Sequence, residues 1–131
     1  MIFKKESDVR KYLKSIFDDI EDSEEMSHYD MKTIRSIIEI KVRKSYYDKW
    51  MIEKYKYDKL MKLCGDKDCF YVVAYNNKLY WYDLKDIDIS ELEKVVMNCP
   101  KTTDFDNNEI IKKTNYILPN HKKNKYDTND R

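Results

Sequence analysis

Three residues of this chain carry the side chains best suited to chemistry: Asp30, Glu39 and Lys41. Two carboxylates held together attract Mg²⁺, which prefers hard oxygen ligands and commonly takes one or two carboxylates with water and substrate phosphate. A lysine beside them could orient an attacking water or neutralise charge on the phosphate. The three residues therefore predict a metal-assisted site for phosphate chemistry, provided that the fold brings them together.

The spacing of these residues suits two antiparallel strands joined by a short turn. A turn centred on residues 34–35 would pair Asp30 with Glu39 and Met31 with Ile38, with the apolar side chains on the face opposite the carboxylates. Facing carboxylates repel each other and cost stability, which a bound cation would relieve. The turn residues are not a favoured hairpin pair, and an odd-length turn would separate the two carboxylates.

The same residues have a plainer interpretation. An E-x-K triplet on an alternating strand is common and usually belongs to a solvated face with a loose ion pair. A further carboxylate could come from the acidic segment after the first predicted helix, from Glu21, Glu24 or Glu25. The sequence does not choose among these three, and most of that segment is expected to be a solvated loop.

Lys56 adds an independent observation. It shares one predicted helical stripe with Ile52, Leu60 and Leu63, the stripe that should pack on a sheet. An ammonium group there is costly unless it reaches a carboxylate or a phosphate. The alternative is that the lysine stem packs while its charged end extends to solvent.

The elements that must position these residues follow from hydrophobic spacing and from breaker residues. They predict the order α-β-β-α-β-β-α-β, with Ser7 as the first N-cap, Gly65 as the end of the second helix and Asn76-Asn77 as a hairpin turn. The predicted helices follow Ser7 and cover 48–64 and 89–97, and the predicted strands cover 28–33, 37–43, 69–75, 79–84 and 114–118.

Length and charge limit the class of protein. The 131 residues predict a single domain over 1–119, followed by a polar, flexible tail over 120–131. The 26 Lys and Arg almost balance the 25 Asp and Glu, which excludes a globally basic protein that coats nucleic acid. A single glycine excludes a Gly-rich phosphate loop.

Cysteine usage and hydropathy predict the compartment. The chain has three cysteines, Cys64, Cys69 and Cys99, and no CxxC pair, so neither a disulfide framework nor a zinc site is expected. Buried thiols in a reduced cytoplasm (the host cytoplasm, if the protein is viral) are the expectation. No signal peptide and no stretch of 18 apolar residues is present, so no membrane partner is expected.

Together, Asp30, the run Ile38-Glu39-Ile40-Lys41-Val42-Arg43, the predicted helix with Lys56-Tyr57, and the following hairpin resemble the PD-(D/E)XK nuclease-like (restriction endonuclease-like) superfamily. The similarity is greatest to its small phage-type members and covers roughly residues 26–84. Tyr29 stands where the family pattern has Pro.

The resemblance implies an αβββαβ core with a central mixed sheet flanked by helices, and hydrolysis of phosphodiester bonds with Mg²⁺ (or Mn²⁺). Asp30 and Glu39 would hold the metal, with the Ile40 carbonyl as an added ligand. Lys41 would act on the attacking water, and Lys56 would be an accessory residue. Some relatives use a histidine ligand, but His28 is more simply a surface residue.

The leading expectation is therefore a nuclease acting on DNA, for which a homodimer would suit cutting of both strands. The phosphate backbone would follow five basic residues. The alternative is a non-catalytic module on a degenerate nuclease fold that binds nucleic acid or protein, which the near-neutral charge and the twelve tyrosines suit. The basic residues are Arg43, Lys44, Lys49, Lys54 and Lys59.

Overall fold

A mixed β-sheet with one helix against each face forms the centre of this α+β protein. The computed structural model describes residues 2–24, 27–100, 110–119 and 125–127. Within these ranges the helices are α1 (Glu6–Ile16) and α2 (Lys54–Cys64). The strands are β1 (Glu21–Asp22), β2 (Met31–Lys32), β3 (Ser36–Arg43), β4 (Met51–Glu53), β5 (Asp68–Tyr75), β6 (Lys78–Asp83), β7 (Lys94–Pro100), β8 (Ile110–Ile117) and β9 (Lys125–Asp127).

Across the described residues, the central sheet has the strand order β1-β2-β3-β5-β6-β9. Its neighbours are antiparallel except for β3 and β5, which are parallel. A parallel pair needs a crossover connection, and α2 lies in the connection between β3 and β5. β4, β8 and β7 form a second, antiparallel sheet. The prediction of a mixed sheet with helices is confirmed at this level.

Alternation along β3 divides the core into two clusters. Ile38 packs on the side of α1 with Val9, whereas Ile37 packs on the side of α2 with Leu60. Successive strand residues point to opposite faces of a sheet. Glu39 therefore lies on the α2 side of the sheet, in the same row as Ile37.

The register predicted for β2 and β3 is confirmed at Met31 and Lys32, whereas Asp30 is not paired with Glu39 in the ladder. Met31 pairs with Ile38 in an antiparallel ladder. The Thr33 N–H donates to the Ser36 carbonyl at 2.9 Å, and the two hydroxyls of these residues are 2.6 Å apart. This hydrogen bonding closes a turn whose central residues are poor turn formers. β2 covers Met31–Lys32, less than the predicted 28–33.

The second helix begins later than its hydrophobic pattern predicts. Residues 51–53 form β4, in which Ile52 pairs with Tyr116. Ile52 is therefore not part of a helical stripe with Lys56, and Leu63 is 43 % exposed. The stripe prediction is wrong because a buried residue just before a helix fits a strand equally well. The predicted end at Gly65 is confirmed by its φ of +57°, which favours glycine.

The predicted third helix over 89–97 is wrong. Ser90 donates its N–H to the Asp88 carboxylate, and only a short 3-10 turn, Ile89–Glu91, follows. The chain then enters β7, which pairs with β8. The β-branched residues Val95 and Val96 suit a strand, and β8 supplies the hydrogen-bonding partner that outweighs the helical spacing.

The start of α1 and the segment after residue 119 also differ from prediction. α1 begins at Glu6, because the Asp8 carboxylate accepts hydrogen bonds from the Lys4 and Lys5 N–H groups. Ser7 is thus inside the helix and is not its N-cap. In the predicted flexible tail, Lys125–Asp127 form β9 beside β6. A sheet edge offers unpaired backbone groups to any sequence, so a polar segment can join it.

The predicted hairpin and the buried thiols are confirmed. Asn76, at the hairpin turn, has a φ of +56°, which Asn tolerates well. Cys64 and Cys69 are free and buried, and burial, with Cys64 nearby, raises the pKa of Cys69 to about 12. The side chain of Cys99 lies outside the described residues. No helix in the described part of the chain combines the length and apolar character needed to cross a membrane.

Candidate functional site

Asp30 lies where β2 separates from β3. Its N–H donates to the Ile38 carbonyl at 2.9 Å, which is one residue out of register with the Met31–Ile38 pair, so the regular ladder ends here. Its Oδ2 then accepts the Ile40 N–H at 2.7 Å, so the side chain takes the place that a further strand residue would occupy. This pair of bonds fixes the Asp30 side chain beside Ile40, and the Asp30 carboxylate shares a hydrogen bond with that of Glu39. It also brings the Ile40 backbone to the site, and a ligand role for the Ile40 carbonyl stays a prediction.

The two predicted carboxylates, Asp30 and Glu39, meet in a largely buried place. Their side chains are 17 % and 11 % exposed. Burial, together with a shared hydrogen bond with Glu39 and the charge of Glu39, raises the pKa of Asp30 to about 6. Facing carboxylates favour either a proton or a cation between them. The pair therefore has the electrostatic property that the sequence predicts.

A third carboxylate, Glu6, reaches Asp30 from the first turn of α1. Burial raises the pKa of Glu6, and a hydrogen bond with Asp30 and its charge raise it further. Glu6, Asp30 and Glu39 therefore form a continuous row of acids that spans α1, the end of β2, and β3. The sequence prediction looked for this extra acid after α1, whereas the structure places it at the start of that helix.

Arg10 neutralises part of this row. Its Nη2 lies 3.1 Å from Glu6 Oε2 and 3.3 Å from Asp30 Oδ1. Its Nη1 donates to Asp22 Oδ1 and to the Asp30 carbonyl, each at 2.9 Å. Sequence reasoning missed Glu6 and Arg10. The available signal was their i, i+4 spacing beside the apolar face of α1, which is too common on helices to indicate a site.

Lys56 binds the other end of the row. Its Nζ lies 3.2 Å from Glu39 Oε2, an oxygen that is buried and accepts no well-aligned hydrogen bond from the described residues. The predicted need of Lys56 for a carboxylate is met by this ion pair. The reason differs in part from the predicted one, because α2 places Lys56 over Glu39 without a stripe that includes Ile52.

Lys41 shares the strand and the face of Glu39, two residues away. Burial lowers the pKa of Lys41, and the neighbouring charge of Arg43 lowers it further, whereas Glu53 and Glu39 oppose this shift. A buried lysine with a lowered pKa can release or accept a proton more readily than an exposed one. The structure thus places Lys41 near the carboxylates and in an environment that alters its protonation.

The acidic segment after α1 does not join the site through the residues considered from sequence. Glu21 and Glu24 are exposed and lie 3.8 and 3.6 Å from Lys32 Nζ. Glu25 lies outside the described residues. His28 is exposed, as expected for a surface histidine.

The five predicted backbone-binding residues fall into two groups. Arg43 ends β3, and Lys44 and Lys49 belong to the exposed connection after it. Lys54 and Lys59 belong to α2, where Lys54 pairs with Asp58 at 2.6 Å and Lys59 lies over the Tyr55 ring. The two groups thus occupy different elements.

The residues present fit a metal ion of the predicted kind as a pair. Within the described ranges, no three or more His, Cys, Asp and Glu side chains form a group placed to hold a metal ion. Mg²⁺, however, is commonly held by one or two carboxylates, with water and substrate completing the coordination. Asp30 and Glu39 supply two such groups. The two carboxylates already lie close together, and a cation would relieve their mutual repulsion.

Comparison with known proteins adds no identification. No protein family, no curated protein and no solved structure matches this chain.

Proposed function

We propose that this protein is a Mg²⁺- or Mn²⁺-dependent nuclease of the PD-(D/E)XK type that hydrolyses phosphodiester bonds of DNA. One observation carries the proposal: Asp30 and Glu39 form a buried carboxylate pair at the point where β2 and β3 separate. Lys41 lies two residues beyond Glu39 on the same face. The family resemblance implies a site built from these three residues, and their closeness supports the proposal.

The order of elements supports the same proposal. Along the chain, α1 is followed by β1, β2 and β3, then by α2 after the short β4, and then by β5. That order contains the αβββαβ succession of the implied core. The mixed sheet, with α1 and α2 on opposite faces, is what such a core would present. Because one fold can host many functions, the argument for hydrolysis rests on the site.

In the proposed mechanism, Asp30 and Glu39 are the residues that would hold the ion. The ion would supply a lowered pKa for water and a positive charge beside the phosphate. Hydrogen bonding from the Ile40 N–H fixes Asp30, and the ion pair with Lys56 fixes Glu39. Both carboxylates therefore stay in place without reorganisation when substrate arrives, which is the basis of electrostatic catalysis.

Lys41 has two roles open to it in this mechanism. As a cation it stabilises the charge that develops on the phosphate oxygens. Its lowered pKa also allows it to hold the proton lost by the attacking water. Either role requires the side chain to point toward the row of Glu39, as strand alternation directs.

The proposal is tested by incubating the protein with plasmid DNA, single-stranded DNA and RNA, with Mg²⁺ or Mn²⁺ and with EDTA. Cleavage should require metal and should be lost in Asp30→Asn and Glu39→Gln. Asp58→Asn is the matched control, since Asp58 pairs with Lys54 on the surface of α2. Cleavage that survives EDTA, or that survives Glu39→Gln, would overturn the proposal.

The non-catalytic alternative has one specific observation in its favour. Each predicted metal-binding carboxylate already has an internal cation, Arg10 on Asp30 and Lys56 on Glu39. A binding module needs no metal when its acids are balanced in this way. Nucleic-acid binding without cleavage under every metal condition, unchanged in Asp30→Asn, would favour this alternative.

A further inference from the structure

A second surface with a distinct chemistry lies at the far end of β3. There a groove is lined by Phe3, Lys4, Arg43, Lys44 and Tyr75, among others. Its lining includes three cations, and no carboxylate belongs to it among the described residues. Three positive groups around one groove attract an anionic ligand, and the attraction is greatest for one that carries several charges.

Two tyrosines extend this groove into the connection that follows β3. Tyr46 and Tyr47 are 45 % and 56 % exposed. Their ring centroids lie 6.1 and 6.0 Å from that of Trp50, and both pairs are nearly perpendicular, at 81°. Trp50 is buried. The tyrosine rings are therefore held against the core while a large part of their surface remains accessible.

Tyr46 connects the two features. Its ring centroid lies 5.7 Å from that of Tyr75, which lines the groove. Exposed flat rings are thus continuous with a cationic groove. Tyr80 and Tyr82 of β6 do not offer this, because both are buried. Asp48, which follows Tyr47 along the chain, is exposed and does not line the groove. The Asp8 carboxylate accepts the Lys4 N–H but does not line the groove either.

This combination matches the chemistry of a single-stranded nucleic acid. Bases stack on accessible aromatic rings, and the phosphates between them bind Lys and Arg. A duplex presents its phosphates but keeps its base faces inside the stack, so exposed tyrosines would add little to its binding. An acidic peptide would satisfy the cations but would place no bases on the accessible tyrosine rings.

We propose that Tyr46, Tyr47, Arg43, Lys44 and Lys4 bind a single-stranded segment of nucleic acid, with bases on the tyrosines and phosphates on the cations. The inference rests on the proposed function insofar as it names the form of the substrate. Arg43 lies four residues from Glu39 on one face of β3, about 13 Å at the usual rise per strand residue. A bound strand could therefore continue from the tyrosines toward the carboxylates.

The test measures binding without metal, so that cleavage plays no part. A labelled oligothymidylate of about 12 nucleotides, within the range that small single-strand binding domains cover, is titrated in EDTA and followed by fluorescence anisotropy. The wild-type protein should bind it more tightly than a duplex of the same length. Its affinity should fall as salt rises, because binding releases counterions.

Variants then locate the binding surface. Tyr46→Ala combined with Tyr47→Ala should weaken binding at least about fivefold, the lower bound for loss of one stacked base. Because those changes remove contacts to Trp50, Tyr47→Leu serves as a second variant that keeps apolar bulk without a flat ring. Arg43→Gln with Lys44→Gln should lower the salt dependence. Tyr55→Ala is the matched control, since Tyr55 is an exposed tyrosine beside Lys59 on α2.

The outcomes are separable from those of the proposed function. Absence of oligothymidylate binding by the wild-type protein would overturn the inference, as would wild-type affinity in folded Tyr47→Leu and in the double alanine variant. An equal loss in Tyr55→Ala would move the surface to α2 and would also overturn it. A protein that binds through Tyr46 and Tyr47 but cuts no nucleic acid would support the inference and contradict the proposed nuclease. A protein that cuts duplex DNA, and whose affinity for oligothymidylate is unchanged by the tyrosine substitutions, would support the proposed nuclease and contradict the inference.

Discussion

The Asp30 carboxylate accepts the Ile40 N–H at 2.7 Å and so replaces a strand residue that β2 does not provide. The bond has two consequences. It satisfies a backbone donor at the place where the strands separate, and it holds Asp30 beside Glu39 even though the two acids repel each other. Asp30 therefore both completes the backbone hydrogen bonding of β3 and supplies one carboxylate of the candidate site.

The stability of the metal-free protein should fall as pH rises. Burial and Glu39 raise the pKa of Asp30 to about 6, so the folded protein holds a proton that the unfolded chain has released. The stability from that proton is fully present below the ordinary Asp value of 3.8 and is lost as pH rises through about 6. The loss amounts to at most about 3 kcal/mol. Urea unfolding in EDTA across this range should show it.

Asp30→Asn should remove that dependence. Asparagine keeps an acceptor for the Ile40 N–H but does not titrate, so near neutral pH the variant should be about 1–3 kcal/mol more stable than wild type. Asp22→Asn is the control. Lys14 and Arg10 lower the pKa of Asp22, so the stability that Asp22 contributes is lost only as pH falls through that lowered value. Equal pH profiles for wild type and Asp30→Asn would contradict the prediction.

Lys41 should act on the chemical step. Replacing it with Ala should lower the single-turnover cleavage rate by about 100- to 1000-fold, the effect of removing one transition-state donor in other enzymes. Nucleic-acid binding in Ca²⁺ should change little. Lys85→Ala is the comparison, because Lys85 is exposed and donates to the Gly65 carbonyl. Full activity in Lys41→Ala would remove this residue from the proposed mechanism.

Lys56 and Glu39 should be coupled in stability. Lys56→Met keeps the apolar stem and leaves the buried Glu39 carboxylate without its ion-pair partner. The single variant should therefore be destabilised, and adding Glu39→Gln should restore part of the loss. A double-mutant cycle in urea should give a coupling energy of about 0.5–3 kcal/mol, as is usual for contacting charged residues. Additive effects would mean that the contact contributes nothing to folding.

Arg10 should compete with a bound metal. Its guanidinium contacts Glu6 and Asp30, so Arg10→Gln should strengthen Mn²⁺ binding measured by calorimetry, because the carboxylates lose an internal cation. Lys14→Gln should leave it unchanged, since Lys14 pairs with Asp22 on the surface. Asp30→Ala should abolish binding. Weaker Mn²⁺ binding in a folded Arg10→Gln would show that the arginine organises the site and does not compete for it.

Local patterns in the sequence determined the strand of Glu39, the pairing of Met31 with Ile38, the hairpin at Asn76, and the glycine end of α2. Each depends on alternation, turn length or a positive φ, which are properties of a few neighbouring residues. For the Lys56 ammonium the sequence allowed a carboxylate, a phosphate or solvent, and only the fold decided for the Glu39 carboxylate.

Tertiary structure alone decided the rest. Residues 51–53 and 94–100 became strands because β8 offers them hydrogen-bonding partners from a distant part of the chain, and such pairing outweighs local helical spacing. Glu6 and Arg10 joined the site because α1 packs on the face of the sheet beside the end of β2. No short-range pattern encodes which helix face will lie next to which strand end, since that depends on how the whole core packs.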